Sequence, residues 1–307
     1  MKKLISSVSP HVNSPLTTQK IMLDVVIALL PAGIAAVIIF GWRALLVIGV
    51  CVAVCVFSEW GFEKICKKEN TITDLSAVVT GLLLAYNLPV SIPIWQAAFG
   101  SIVAIVVVKQ LFGGIGQNFA NPAITARIIM MTAFSGTMTS WVFPDGVSSA
   151  TPLALMTNGE MNALPSYLQM FLGYRGGCLG ETCTLALLLG GIYLLIKKVI
   201  SWHTPVAFIG TVALMSLICG KDVPYQLMAG GLMIGAIFMA TDYSSTPPTK
   251  WGKVIFGIGC GLITILIRFW GNFPEGVSFS ILLMNILTPY ITKLTRSRPF
   301  GVGGAKR

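Results

Sequence analysis

A chain of 307 residues that is 55% hydrophobic and only 10% charged lies far from the usual composition of soluble domains and matches a multi-spanning membrane protein. Each lipid-embedded segment must satisfy its own backbone hydrogen bonds, so helices are the expected element. The formal net charge of +10 would suit a nucleic-acid partner, but in a membrane protein the question is where the positive residues lie.

Residues 1–20 show no cleavable signal, because polar Ser6 to Lys20 precedes the first apolar run and no small-residue cleavage site follows; the first span is expected to stay. The apolar pattern predicts ten helices, at Leu23 to Phe40, Ala44 to Phe62, Ile72 to Leu88, Ile92 to Phe112, Pro122 to Phe134, Cys183 to Ile200, Thr204 to Cys219, Tyr225 to Thr241, Gly252 to Trp270 and Val277 to Ile291. The third, fifth and tenth are short or polar. With the N-terminus in the cytoplasm, one side collects sixteen of the 21 Lys and Arg residues, among them Lys20, Lys64, Lys67, Lys68, Lys109, Lys197 and Lys198. The other side holds Arg43, Arg175, Lys221 and Arg268, and Arg127 falls inside a span. This positive-inside asymmetry predicts cytoplasmic termini and accounts for the basic charge without nucleic acid.

The chain then divides into a cytoplasmic N-terminal segment (1–20), a first five-helix half (21–134), an outer connection (135–182), a second five-helix half (183–292) and a basic cytoplasmic tail (293–307). Within the long connection, Leu164, Tyr167, Leu168 and Phe171 have helical spacing and predict a short amphipathic helix along the interface. The same connection holds Asp145-Gly146-Val147-Ser148-Ser149-Ala150-Thr151-Pro152-Leu153. Asp145-Gly146 reads as a turn, Thr151 as an N-cap and Pro152 as a first helical residue. Taken alone this is a capped loop or a helix start able to receive a phosphate.

Two stretches repeat. Lys109-Gln-Leu-Phe-Gly113 with Gly116 and Phe119 is echoed by Arg268-Phe-Trp-Gly271 with Gly276 and Phe279, and Gly81 to Asn87 is echoed by Gly235 to Asp242. The offset is five helices, and an odd offset reverses orientation, so the halves are expected to be inverted repeats. Asp24, Glu59, Asp74, Arg127 and Asp242 sit in or beside spans, where ionisable groups are costly and face a partner or a cavity. Arg127 follows the Asn121-Pro122 helix start and suits either a carboxylate partner or an anionic ligand. Ser244, Ser245 and Thr246-Pro247 begin another capped helix after Asp242. Gly176-Gly177-Cys178-Leu179-Gly180-Glu181-Thr182, beside Arg175, is either a tight turn or a close backbone approach to a ligand. The seven cysteines and two histidines show no metal spacing, and no nucleophile-base arrangement can be assembled, so neither a metal nor a catalytic residue is expected. Cys178 and Cys183, on the outer side, leave a disulfide or a subunit contact open.

The island Asp145 to Leu153 resembles the flavinylation motif shared by the D subunits of Rnf electron-transport complexes and the B subunits of sodium-translocating NADH:quinone reductases. Asn118 to Ala123, Arg175 to Glu181, Phe238 to Asp242 with Ser245 to Pro247, and Pro274 to Gly276 with Phe279 to Asn285 extend the resemblance over most of the chain. The absence of a long N-terminal extension is closer to the Rnf branch. The resemblance implies an all-α polytopic membrane protein of about ten transmembrane helices in two inverted repeats, similar to the urea-transporter architecture. It implies FMN bound through a phosphoester to Thr151, with Asp145, Gly146, Ser148, Ser149, Ala150 and Pro152 as the motif, attached by a separate magnesium-dependent flavin transferase. Position 149 is Ser where many members have Gly. Arg127, Asn118, Arg175, Gly177 and Glu181 are further candidates for cofactor contact, and a second, non-covalent flavin, riboflavin, is implied between the helices. The implied role is an oxidoreductase subunit in the bacterial or archaeal plasma membrane. It would relay electrons between partner subunits, notably the FMN-carrying G subunit and the membrane A and E subunits, while the complex moves Na+ or H+. The alternative is a urea-transporter-like channel or transporter, which the inverted repeats suit equally well and for which the motif at Thr151 has no use.

Overall fold

The computed structural model describes residues 17–141, 151–158, 164–271 and 275–296, and among these every regular element is a helix. Four helices are long and apolar enough to cross a membrane: α1 (Thr18–Phe40), α2 (Trp42–Ile65), α13 (Lys250–Trp270) and α14 (Val277–Thr295). Shorter apolar helices are α3 (Ser76–Tyr86), α4 (Ile94–Ile102), α5 (Pro122–Ala133), α9 (Thr184–Ile196) and α10 (His203–Ile218), and short pieces are α6 (Ser135–Met138), α7 (Pro152–Asn158), α8 (Tyr167–Leu172), α11 (Val223–Met228) and α12 (Leu232–Ile234). The chain is a polytopic helical membrane protein, and its outward surface is greasy: Ile38, Trp42, Phe57, Leu217, Trp251 and Trp270 are all exposed.

The packing repeats itself between the halves. In the first, α2 packs on α3 and α4; in the second, α10 packs on α11 and α13. The halves meet where equivalent helices touch, α1 against α9 and α5 against α14, as a two-fold relation requires. Small residues allow the first of these contacts: a Cβ on Gly190 of α9 would collide with the carbonyl oxygen of Ala28 in α1. Tyr86, buried at the end of α3, donates its hydroxyl to the Leu29 carbonyl of α1 at 2.9 Å and ties the third helix to the first.

Three predicted helices are not continuous. The third begins with a 3-10 turn, Ile72–Asp74, and restarts at Ser76 after Leu75 adopts left-handed backbone (φ 63°). The fourth changes from α4 into a π-helical segment, Val103–Gln110, which rotates Val108, Lys109 and Gln110 inward together. The eighth, predicted as one helix over Tyr225 to Thr241, is broken into α11, α12 and a π-helical turn, Gly235–Met239. Its break falls at Ala229 in extended backbone followed by Gly230 at φ 63°, a conformation open to glycine and unfavourable for most residues.

Candidate functional site

Thr151 caps α7 as its residue type predicts: its Oγ accepts from the Ala154 amide at 3.3 Å and its carbonyl from the Leu155 amide at 2.9 Å. The side chain is buried, and among the described residues its own hydroxyl proton has no recorded acceptor. α7 is anchored by Leu153, which packs with Met170 of α8 and Ala229, flanked by Tyr225 and Met228 of α11. The predicted amphipathic helix is α8, closed by a capping box between Ser166 and Gln169. Its buried anchor is Met170, which the expected stripe of Leu164, Tyr167, Leu168 and Phe171 leaves out; Tyr167 and Leu168 are exposed. Tyr167 donates to Asp222 at 2.6 Å, a hydrogen bond to a carboxylate that holds its phenol above the usual range. Asp145, Gly146, Ser148, Ser149 and Ala150 lie outside the described residues.

Behind α7 lies a buried charge cluster. Arg127 of α5 donates to Asn87 Oδ1 at 2.7 Å and to Cys178 Sγ at 3.5 Å, and forms an ion pair with Glu275. Of the two roles open to Arg127, the structure shows the carboxylate partner. The Gly176 to Thr182 run folds onto the end of α3, with the Leu179 and Gly180 amides donating to Leu88 and Tyr86 carbonyls at 3.0 and 2.9 Å. A Cβ on Gly180 would overlap Tyr86, and one on Gly177 would sit 2.8 Å from Glu181 Oε1. The close approach these glycines permit is therefore to the protein's own α3 and to Glu181. Arg175 holds the run from inside, donating to the Glu181 and Thr182 carbonyls at 2.6 and 3.2 Å. Glu181 Oε1 accepts from the Cys178 amide at 3.2 Å, whereas Glu181 Oε2 and Glu275 Oε1 are buried without a hydrogen-bond partner among the described residues. In this connection between α8 and α9, burial and then the neighbouring Glu275 push the Glu181 carboxyl up to about 7, and burial pushes the Cys178 thiol up as well. Cys178 and Cys183 are both free thiols. Cys178 Sγ and carboxylate oxygens of Glu181 and Glu275 come within 4.8 Å of one another, but the Arg127 guanidinium stands among them and disfavours a cation.

Asn118 is not part of this cluster. It lines a cavity of about 450 Å³ near the other end of the helices, with Met22, Ser76, Leu83, Lys109 and Asp242 among its walls. Ser244 donates to Asn118 Oδ1 at 3.0 Å and to Asp242 at 3.1 Å. Beside the cavity, Lys109 pairs with Glu59 at 2.6 Å and donates to Ser76 Oγ at 2.6 Å, and Gln110 donates to the same Glu59 oxygen at 2.7 Å. Lys109, expected among the water-facing basic residues, is buried instead, because the π-helical register turns it toward α2. Arg268, expected at the opposite surface, is likewise buried, within α13. Asp24 accepts from Tyr193 at 2.7 Å near Lys197.

The chain is thus a polytopic helical membrane protein that keeps ion pairs buried at the ends of broken helices, where ionisable groups are expensive and mark candidate functional sites. Comparison with known proteins narrows this. The model of the NQR2, RnfD, RnfE family matches residues 5–301, and the chain belongs to that family. It is 48% identical to the D subunit of the Na(+)-translocating ferredoxin:NAD(+) oxidoreductase complex of Acetobacterium woodii, over 99% of this chain and 97% of the relative. It is 44% identical to the D subunit of the proton-translocating ferredoxin:NAD(+) oxidoreductase complex of Clostridium ljungdahlii (96% and 95%) and 36% identical to the D subunit of the ion-translocating oxidoreductase complex of Stutzerimonas stutzeri (93% and 92%). By that membership the chain is an oxidoreductase subunit.

Proposed function

We propose that the chain is the D subunit of an Rnf complex, carries FMN on Thr151 and relays electrons between redox centres of partner subunits while the complex moves Na+ or H+. The observation that carries this reading is the similarity, over 99% of this chain, to the D subunit of such a complex, together with Thr151 standing in the Asp145 to Leu153 motif with its hydroxyl donating to none of the described residues. A flavin takes up one or two electrons and so connects carriers of either kind; the protein has to hold, orient and tune it. Replacing the Thr151 proton by phosphorus removes no hydrogen bond recorded among the described residues. The basic end of the helices, with Lys64, Lys67, Lys68, Lys197 and Lys198, faces the cytoplasm on this reading, which leaves Thr151 on the outer face with the FMN-bearing G subunit.

The cavity beside Asn118 suits the second, non-covalent flavin. Riboflavin has no phosphate and needs no counter-charge, and Lys109, the buried cation in those walls, is already paired with Glu59. Apolar Met22, Val79 and Leu83 would cover the ring, while Asn118 and Ser244 offer polar groups for its edge. The transporter alternative draws on the same cavity and does not explain the motif.

The test is in-gel flavin fluorescence after denaturation of the chain co-expressed with a flavin transferase and the other Rnf subunits. Wild type is expected to fluoresce and Thr151→Val to be dark. Unchanged fluorescence in Thr151→Val defeats the attachment site, and a dark wild-type band favours the transporter. For the cavity, Leu83→Trp is expected to remove acid-released riboflavin while sparing the covalent signal.

A further inference from the structure

Arg127, Arg175, Arg268, Glu181 and Glu275 are each no more than 7% exposed and lie in electrostatic reach of one another. Three are cations and two are anions. Glu275 meets the charge of Arg127, and Glu181 neighbours Arg175, which holds its carbonyl. Arg268 has no carboxylate within 4.0 Å among the described residues. Its Nη1 donates to the carbonyl and side-chain oxygens of Gln226 at 2.7 and 3.2 Å, its Nη2 to the Ala229 carbonyl at 3.0 Å, and its Nε is buried without a partner. Neutral oxygens hold the guanidinium in place, and the carboxylates that act on it from a distance, Glu275 and Glu181, already face Arg127 and Arg175, so among the described residues its charge is only partly met in an interior where that is unfavourable.

The position of Arg268 shows where the compensating charge is to be sought. A Cβ built on Gly230 would lie 3.0 Å from Arg268 Nη2 and 2.9 Å from Leu153 Cδ1, so the guanidinium and the first turn of α7 meet across that glycine, two residues beyond Thr151. α7 has only seven residues and cannot supply a strong dipole of its own, so a charge at Thr151 depends on side chains.

We propose that Arg268 is the counter-charge of the phosphate linking Thr151 to its flavin, an inference that rests on the attachment proposed above. A phosphate esterified both to threonine and to the flavin's ribityl chain is a diester with one ionised oxygen. Its single negative charge offsets the excess of three arginines over two glutamates in the cluster. Arg268 is thus a positioning residue: it fixes the α11 turn on which α7 rests and compensates the phosphate, without touching the flavin ring. Among the described residues the unmodified chain carries that excess, so on this proposal flavin attachment stabilises it.

The test compares purified complexes of wild type, Arg268→Gln and Arg268→Lys, each made with and without the flavin transferase. Flavin attachment is expected to raise the thermal midpoint of wild type by about 3 °C or more and that of Arg268→Gln by less than about 1 °C, with Arg268→Lys close to wild type. Equal shifts in wild type and Arg268→Gln overturn the proposal, since a purely architectural Arg268 would destabilise both forms alike. Where Arg268→Gln does not assemble, Thr151→Glu and Thr151→Gln are compared without flavin. The Glu variant is expected to be the more stable, and a Gln variant of equal or higher midpoint overturns the proposal. Persisting fluorescence in Thr151→Val would remove the attachment reading, while the Glu and Gln pair still reports on the excess charge.

Discussion

The two buried charge clusters solve opposite problems. Near the basic end, Lys109 pairs with Glu59, and Glu63, one turn further along α2 and also buried, accepts from the Thr71 amide, so the buried charges described there are more negative than positive. The nearby Lys64, Lys67 and Lys68 are exposed and can offset that excess from the water side. At the Thr151 end the excess is positive, and its cations are deep. The repeat pairs Lys109 with Arg268, and both reach the broken helix of their own half: Lys109 the start of α3 at Ser76, Arg268 the end of α11 at Gln226 and Ala229. Among the described residues one has a carboxylate within ion-pair distance and the other does not. Among the described residues the second half thus keeps the cation without a carboxylate in contact with it, and this is the contrast on which the proposed role of Arg268 rests.

The sharpest way to break this contrast is to remove an anion from the half already short of one. Glu275→Ala leaves Arg127 with only Asn87 and Cys178, and stranding a buried charge costs about 3–5 kcal/mol. Loss of the folded chain from membranes is the expected outcome, read as yield and thermal midpoint in detergent. Lys109→Met strands Glu59 in its turn, but that carboxylate keeps the Gln110 amide and a stranded carboxyl can be neutralised by a proton where a guanidinium cannot, so the loss should be the smaller of the two, about 1–3 kcal/mol. Equal damage from the two substitutions would mean that the clusters do not differ in the way their charges are met. Gly230→Ala probes the bridge between Arg268 and α7: a left-handed alanine costs roughly 1–2 kcal/mol, and its Cβ would press on both neighbours. A drop of a few degrees in midpoint together with lower flavin content is expected; a drop in midpoint with full flavin content would detach Gly230 from the Thr151 site.

Much of this was readable from residue order. The ten apolar segments, the repeat and the Thr-Pro start of α7 follow from local pattern, because apolar length, helix caps and turn residues act over a few positions. What pattern could not supply is pairing across the fold. Arg127 and Glu275 are 148 residues apart, and only the contact of α5 with α14 brings them together. The break in the eighth helix hides inside unbroken hydropathy, with Gly230-Gly231 its only trace. Lys109 read as a helix-end lysine because a π-helical turn has no sequence signature that separates it from an α-helix. Pro274-Glu275-Gly276 did mark Glu275, as a motif and not as a partner.

The smallest effect concerns Glu181 and tests whether the Thr151 end behaves as one electrostatic unit. Its carboxyl faces Glu275, Arg127, Arg175 and Cys178, and burial, the largest influence, pushes its pKa from 4.5 up to about 7. A carboxyl whose folded pKa is raised binds its proton more tightly when folded. Its contribution to stability is therefore complete below about 4.5 and is lost as pH rises through about 7. The midpoint of the wild-type complex should accordingly fall between about pH 4.5 and about pH 7 and level off above, and Glu181→Gln should flatten that slope. A slope unchanged in Glu181→Gln would assign it to another group. The sign of the response to flavin is fixed by the same charges: one further anion in the cluster makes ionisation of Glu181 harder, so the slope should move to higher pH in flavin-bearing complex than in Thr151→Val. A slope at the same pH in both would show that charge placed at Thr151 is not felt at Glu181, and the cluster would then be two independent pairs instead of one site.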